Sequence, residues 1–141
     1  MLSTVYEHQV DAQKRVTIPS QFRKDFEKEV CVMPSPDADA PCLYVYSEEE
    51  WQKVCAQVQA KAVDAHSRRV QRRLNSSVTY ADLDKAGRLT LTLEQLAFAG
   101  IDSMAVLVKN TSHVEIWSRE NWQKEVAAMD ALDDTELGIN F

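Results

Sequence analysis

Arg15 and Arg88 each stand four residues after an aspartate, in "DAQKR" and "DKAGR", and each leads into a short alternating apolar segment, "RVTI" and "RLTL". The carboxylates of Asp11 and Asp84 are suited to accept backbone N–H groups across a tight turn. Gly87 can take a positive φ that other residues resist, and the arginine is then held beside the tip. A fixed guanidinium offers a planar fork of donors that matches phosphate oxygens, or the O6 and N7 edge of guanine, better than a floppy lysine does. Lys14 and Lys85 add an ammonium to each loop. One such loop is an ordinary surface turn with an incidental arginine. Two of them in register argue that the tips work as a pair.

The loops belong to a longer internal repeat. "DAQKRVTI" aligns with "DKAGRLTL", and further on "YSEEEWQK" aligns with "WSRENWQK" at nearly the same separation. Each copy reads as strand, tight loop, strand, short helix, two strands and a longer helix. In the first copy, strands are expected over residues 3–10 and 16–18, a short helix opens at Pro19 and runs to about residue 26, and "VCVM" and "CLYVY" follow. In the second, strands are expected over 78–83 and 89–91, a helix runs over 93–99 and ends at Gly100, and "MAVLV" and "HVEIW" follow. The fold class is α+β.

Ser47 and Ser118 are suited to cap helices, with Glu50 placed to complete a capping box. Tyr46 with Trp51, and Trp117 with Trp122, have the spacing of a hydrophobic staple, which explains these aromatics without a stacked ligand. With neither Gly nor Pro from Glu48 towards Asn75, one connecting helix is expected there, burying Val54, Val58, Ala62, Ala65, Val70 and Leu74 on one face. It ends in "RRVQRR". Arg68, Arg69, Arg72 and Arg73 there suit the negative end of a helix dipole, a neighbouring chain's acidic residues or a phosphate backbone.

The net charge of −6 opposes nucleic-acid binding, but the charges are segregated. Residues 61–90 hold seven Lys or Arg against three Asp, whereas residues 36–50 hold five acidic residues and no basic one. An acidic chain of this kind can still present a cationic face. Cys31, Cys42 and Cys55 lack paired spacing, which argues against a disulfide framework or a zinc site and for free, mostly buried thiols. His8, His66 and His113 show no metal-binding spacing, and no convergent acid, base and nucleophile set points to an enzyme. Neither a signal peptide nor a membrane-spanning run is visible, so a cytoplasmic protein is expected.

The two loops, the "RRVQRRL" segment ahead of "DKAGR" and the repeated "WQK" resemble the MraZ-type transcriptional regulators over most of the chain. The family pattern at each loop is close to D-x-K-G-R, then a short strand and often Pro. Asp84, Gly87 and Arg88 fit it, as do Asp11, Arg15 and Pro19. Gln13 and Lys14 depart from it, as do Ala86 and Thr92. Lys14 stands in the glycine slot at a cost on the order of 1 kcal/mol if the turn is kept, so a different local turn is expected there.

The resemblance implies two tandem AbrB-like swapped-hairpin units forming an intertwined, pseudo-dimeric small β-barrel with flanking helices, assembled into a ring-shaped homo-oligomer. Residues 1–50 and 77–122 would be the DNA-binding units, 51–76 the connecting helix and 123–141 a C-terminal helix and acidic tail. It further implies a nucleoid-associated regulator that binds double-stranded DNA at short direct repeats, in the promoter of the bacterial division and cell-wall gene cluster. Arg15 and Arg88 would contact phosphates or base edges, with Lys14 and Lys85 adding attraction and Asp11, Asp84 and Gly87 shaping the turns. No cofactor, metal, membrane or small-molecule substrate is called for. The competing reading is an oligomeric protein-interaction scaffold in which the arginine tips are salt-bridged and the acidic stretches bind a basic partner.

Overall fold

The structure, a computed structural model, describes residues 3–140; residues 1, 2 and 141, at the ends of the first and last expected segments, lie outside it. The chain runs β1 (Val5–Gln9), β2 (Arg15–Thr17), a 3-10 turn (Ser20–Phe22), β3 (Glu29–Pro34), β4 (Leu43–Ser47), α1 (Glu48–Lys61) and α2 (Ala65–Ser77). It continues with β5 (Thr79–Asp82), β6 (Arg88–Thr90), α3 (Leu93–Ala99), β7 (Met104–Lys109), β8 (Val114–Ser118), α4 (Arg119–Asp130) and a last 3-10 turn (Asp134–Leu137).

Six strands form an antiparallel sheet in the order β1-β7-β8-β4-β3-β5, and β2 pairs with β6 in a separate two-stranded ribbon. Each copy thus completes the other. β1 of the first copy pairs with β7 of the second, with Glu7 opposite Val106, and β5 of the second pairs with β3 of the first, with Tyr80 opposite Cys31. The copies meet at the middle, where β4 and β8 run antiparallel with Leu43 opposite Ile116, Tyr44 opposite Glu115 and Val45 opposite Val114. A pseudo-twofold axis therefore passes between Tyr44 and Glu115. A closed barrel is not what the hydrogen bonds describe: β1 and β5 are the two edges of the sheet, and three-residue strands such as β2 and β6 pair only with each other.

Strand alternation decides what faces what. Val30, Val32, Leu43, Val45, Ala105, Leu107, Val114 and Ile116 point to one face, where Val16, Ile18, Leu89 and Leu91 of the ribbon region seal the main core. The opposite face carries two smaller clusters, one around Trp51 with Cys31, Met33 and Tyr46, the other around Trp117 with Cys42 and Val106. Burial raises the thiol pKa of Cys31 to about 11 and that of Cys42 to about 12, so both remain protonated, apolar fillers at neutral pH.

The helix starts repeat as their sequences do. Ser47 accepts from Glu50 N (3.1 Å) and Ser118 from Asn121 N (2.9 Å), while Tyr46 packs on Trp51 (5.7 Å between centroids) and Trp117 on Trp122 (5.5 Å). Glu50 turns away from the expected capping box and pairs with Lys53 at 3.0 Å. The connecting helix is two helices rather than one. Asp64 accepts from Ser67 N (2.8 Å) and Ser67 Oγ meets Asp64 N (3.0 Å), a capping box that starts α2 and so breaks the run after Lys61. The "DAHS" spacing that builds this cap outweighs the absence of Gly and Pro.

Candidate nucleic-acid interface

In the first loop, Asp11 Oδ1 accepts from Gln13 N and Arg15 N (2.9 Å each), while Arg15 Nε donates to Asp11 Oδ2 (2.8 Å). In the second, Asp84 Oδ1 accepts from Ala86 N (3.0 Å) and Arg88 N (2.8 Å), while Arg88 Nε donates to Asp84 Oδ2 (2.6 Å). The backbone closes both turns alike, through Lys14 N to Asp11 O (3.0 Å) and Gly87 N to Asp84 O (2.9 Å). Both carboxyls are held below their ordinary value, chiefly by the backbone N–H of the loop's own arginine.

The expectation of a different turn around Lys14 fails. Lys14 takes φ 62° and Gly87 φ 79°, both left-handed, and the bonds around them correspond one for one. The aspartate imposes the turn, and Lys14 accepts the left-handed backbone that its Cβ disfavours. Thr92, at the second Pro position, becomes a helix cap instead: it accepts from Gln95 N (3.0 Å), and Gln95 Oε1 returns to Thr92 N (2.9 Å). The first copy, with Pro19 there, makes only the 3-10 turn.

The ribbon brings both loops together. Arg15 pairs with Thr90 and Thr17 with Arg88, so these four side chains share one face, while Val16 and Leu89 turn inward and are fully buried. The two arginines lie diagonally across the ribbon, two residues or about 7 Å apart along it. A reciprocal pair of bonds locks the loops to the neighbouring strands, Ile18 N to Gly87 O (3.0 Å) and Leu91 N to Lys14 O (2.8 Å). Both arginine side chains remain partly exposed, 26% for Arg15 and 38% for Arg88. Nε of each is engaged by the loop's aspartate, and arginine has further N–H donors for an outside acceptor. Lys85 is exposed at the second tip, and Lys14 is half-buried at the first. The surface is a pair of partly exposed cations, each held by its loop aspartate, suited to phosphate or base edges.

One residue was not visible as a site from sequence. Arg23 follows the 3-10 turn of the first copy, donates from Nε to Ile18 O (2.8 Å) and lies against Gly87 of the second loop. Its signal was indirect: the repeat sets it against Leu96, an uncharged residue. Arg68, Arg69, Arg72 and Arg73 are exposed along α2 and do not belong to the ribbon face.

Residues 1–74 and 77–137 both match the family model described as "MraZ protein, putative antitoxin-like". The chain belongs to the MraZ family. It is 32% identical over 139 residues to a protein of Lachnoclostridium phytofermentans, covering 96% of each chain. It is 31% identical over 127 residues to one of Thermomicrobium roseum, covering 89% of this chain and 87% of the relative. A Roseiflexus castenholzii relative is 32% identical over 127 residues, with the same coverage. All three bear the name "Transcriptional regulator MraZ", which supports a role in transcriptional regulation and sets the MraZ family apart from enzyme families. Among the described residues, no helix is long and apolar enough to cross a membrane.

Proposed function

We propose that this chain is a sequence-specific DNA-binding transcriptional regulator whose reading surface is the β2–β6 ribbon with its two loops. The observation that carries this is the shared outward face of Arg15, Thr17, Arg88 and Thr90, each arginine fixed by its own loop aspartate. A two-stranded ribbon has the width to enter a major groove, and held guanidinium groups suit guanine edges and phosphates. The strand exchange between copies is what a swapped-hairpin unit of the AbrB type, doubled in one chain, would produce. Double-stranded DNA carrying short direct repeats, in the promoter of the division and cell-wall gene cluster, is the proposed target in a cytoplasmic, nucleoid-associated setting. A homo-oligomeric ring would set several ribbons side by side, so that later contacts are favoured by local concentration. Lys14 and Lys85 add electrostatic attraction.

The test begins by selecting duplexes from a random-sequence library with the wild-type protein and measuring their affinity by fluorescence anisotropy at several salt concentrations. Arg15→Ala and Arg88→Ala should each weaken binding about tenfold and lower the slope of log affinity against log salt by about one unit. Failure to enrich any sequence, or variants whose slope equals that of the folded wild type, would reject the DNA reading in favour of the scaffold.

A further inference from the structure

Lys14 and Gly87 occupy equivalent places in the two loops, and the same sequence register sets Leu96 against Arg23 in the segments that follow. These two exchanges are physically linked at the second tip. A Cβ placed on Gly87 would overlap Cζ of Arg23 and lie 2.5 Å from its Nε and Nη1. The guanidinium therefore occupies the volume into which a side chain at position 87 would grow. At the first tip that volume belongs to Lys14 itself, and the residue corresponding to Arg23 is the half-buried Leu96, packed against the main core.

Each tip thus has a cation beside its loop arginine at the left-handed position, delivered from different parts of the chain, and the second tip carries Lys85 in addition. At the first tip it grows from the loop as Lys14. At the second it arrives from the other copy as Arg23, anchored through Nε to Ile18 O, and only a glycine at 87 leaves room for it. Arg23 also borders a recess of about 460 Å³ together with Lys28, Lys85, Asp84 and Glu27, where Lys28 is drawn towards Asp82 at 3.6 Å.

We propose that Arg23 is a phosphate-contacting residue of the second tip and the functional counterpart of Lys14 at the first. This rests on the DNA-binding reading above and extends it to a residue outside both loops. With Nε committed to Ile18, the terminal N–H groups of Arg23 are those that would meet a phosphate oxygen, beside Lys85. The guanidinium is held by one backbone carbonyl and by the shape of the Gly87 turn, so removing it should change affinity without redirecting sequence preference.

The experiment compares Arg23→Leu, Arg23→Lys and the double variant R23L/G87K with wild type and Arg88→Ala, using the library-selected duplex and urea melts to establish folding. R23L should lower the salt slope by about one unit, equivalent to about eightfold weaker binding near 0.1 M salt. R23K should keep the slope. R23L/G87K, which rebuilds the first tip's arrangement in the second, should restore it. An R23L slope equal to wild type, while R88A lowers it, would overturn the role of Arg23 and leave the DNA reading intact. If R23L lowers the slope and R23L/G87K fails to restore it in a folded protein, the equivalence with Lys14 is overturned. If R88A and R23L both leave the slope unchanged, the DNA reading itself falls.

Discussion

The first and second loops share every hydrogen bond that defines them and differ at the position where the backbone turns left-handed, Lys14 in one and Gly87 in the other. Bond geometry here is dictated by the aspartate and by the arginine that follows it. The residue at the left-handed position is free to vary, provided that the neighbouring copy yields space. Glycine goes with a guanidinium arriving from Arg23, whereas the residue that the repeat sets against Arg23 is the apolar Leu96, packed on the main core. What the pair teaches is that a repeat can preserve a surface while moving the residues that supply it.

The comparison is most severely tested beneath the ribbon, where Val16 and Leu89 face each other and are both fully buried. Leu89→Ala should cost about 2–5 kcal/mol in urea melts, and Val16→Ala less, because fewer buried atoms are removed. A Leu89→Ala cost below that of Val16→Ala would mean that the two copies do not contribute to one shared core.

A smaller effect of opposite sign is expected at the left-handed positions. Lys14→Gly removes a Cβ from a backbone that opposes it and should stabilise the fold by up to about 1 kcal/mol, reduced by the greater freedom of glycine in the unfolded chain. Gly87→Ala should destabilise by about 1 kcal/mol and displace Arg23 from the tip. Changes of the same sign in both variants would break the claim that one turn type serves both loops.

The smallest effect is with pH. Asp11 and Asp84 have native pKa values below the ordinary 3.8, so the unfolded chain binds protons more readily than the folded one. Their contribution is present above the ordinary value and is lost as pH falls through the lowered one. Amide exchange at Arg15 and Arg88 should accelerate together in that acid window beyond the intrinsic rate change, and Asp84→Asn should remove the dependence at Arg88 alone. Loss of the response at both amides in this variant would show that the loops do not act independently.

Much of the fold was legible because its signals are local. Alternation marked the strands, the serine and aromatic spacing marked the starts of α1 and α4, and Gly100 ended α3 with φ 69° as a C-cap. The loop arginines were legible through repetition in register. Strand exchange was implied by the family resemblance alone, since β1 has the same alternation whichever partner it takes, and only the whole core decides between β7 and a strand of its own copy. The break before α2 is written in Asp64 and Ser67, whose capping box starts a new helix even where neither Gly nor Pro interrupts the run. Arg23 escaped because its neighbour, Gly87, is 64 positions away, and sequence proximity carries no trace of such contacts.

The central pair, Tyr44 opposite Glu115, shows what fusing two copies permits. Burial of Glu115 favours its neutral form, yet donors from His113 (2.9 Å), Trp117 (3.0 Å) and Asn110 (3.3 Å) outweigh that and keep its pKa below the ordinary value. A carboxylate can only accept, so His113 Nε2 carries the proton it donates, and the His113 ring lies 4.1 Å from that of Tyr44. In a dimer of identical halves, the residue on the twofold axis must face itself. A second-half sequence paired with its own copy would set two buried glutamates against each other, and their repulsion would oppose assembly. Covalent joining lifts that constraint: either side of the axis can drift, and a charge that symmetry would forbid becomes a lock that fits only its unlike twin.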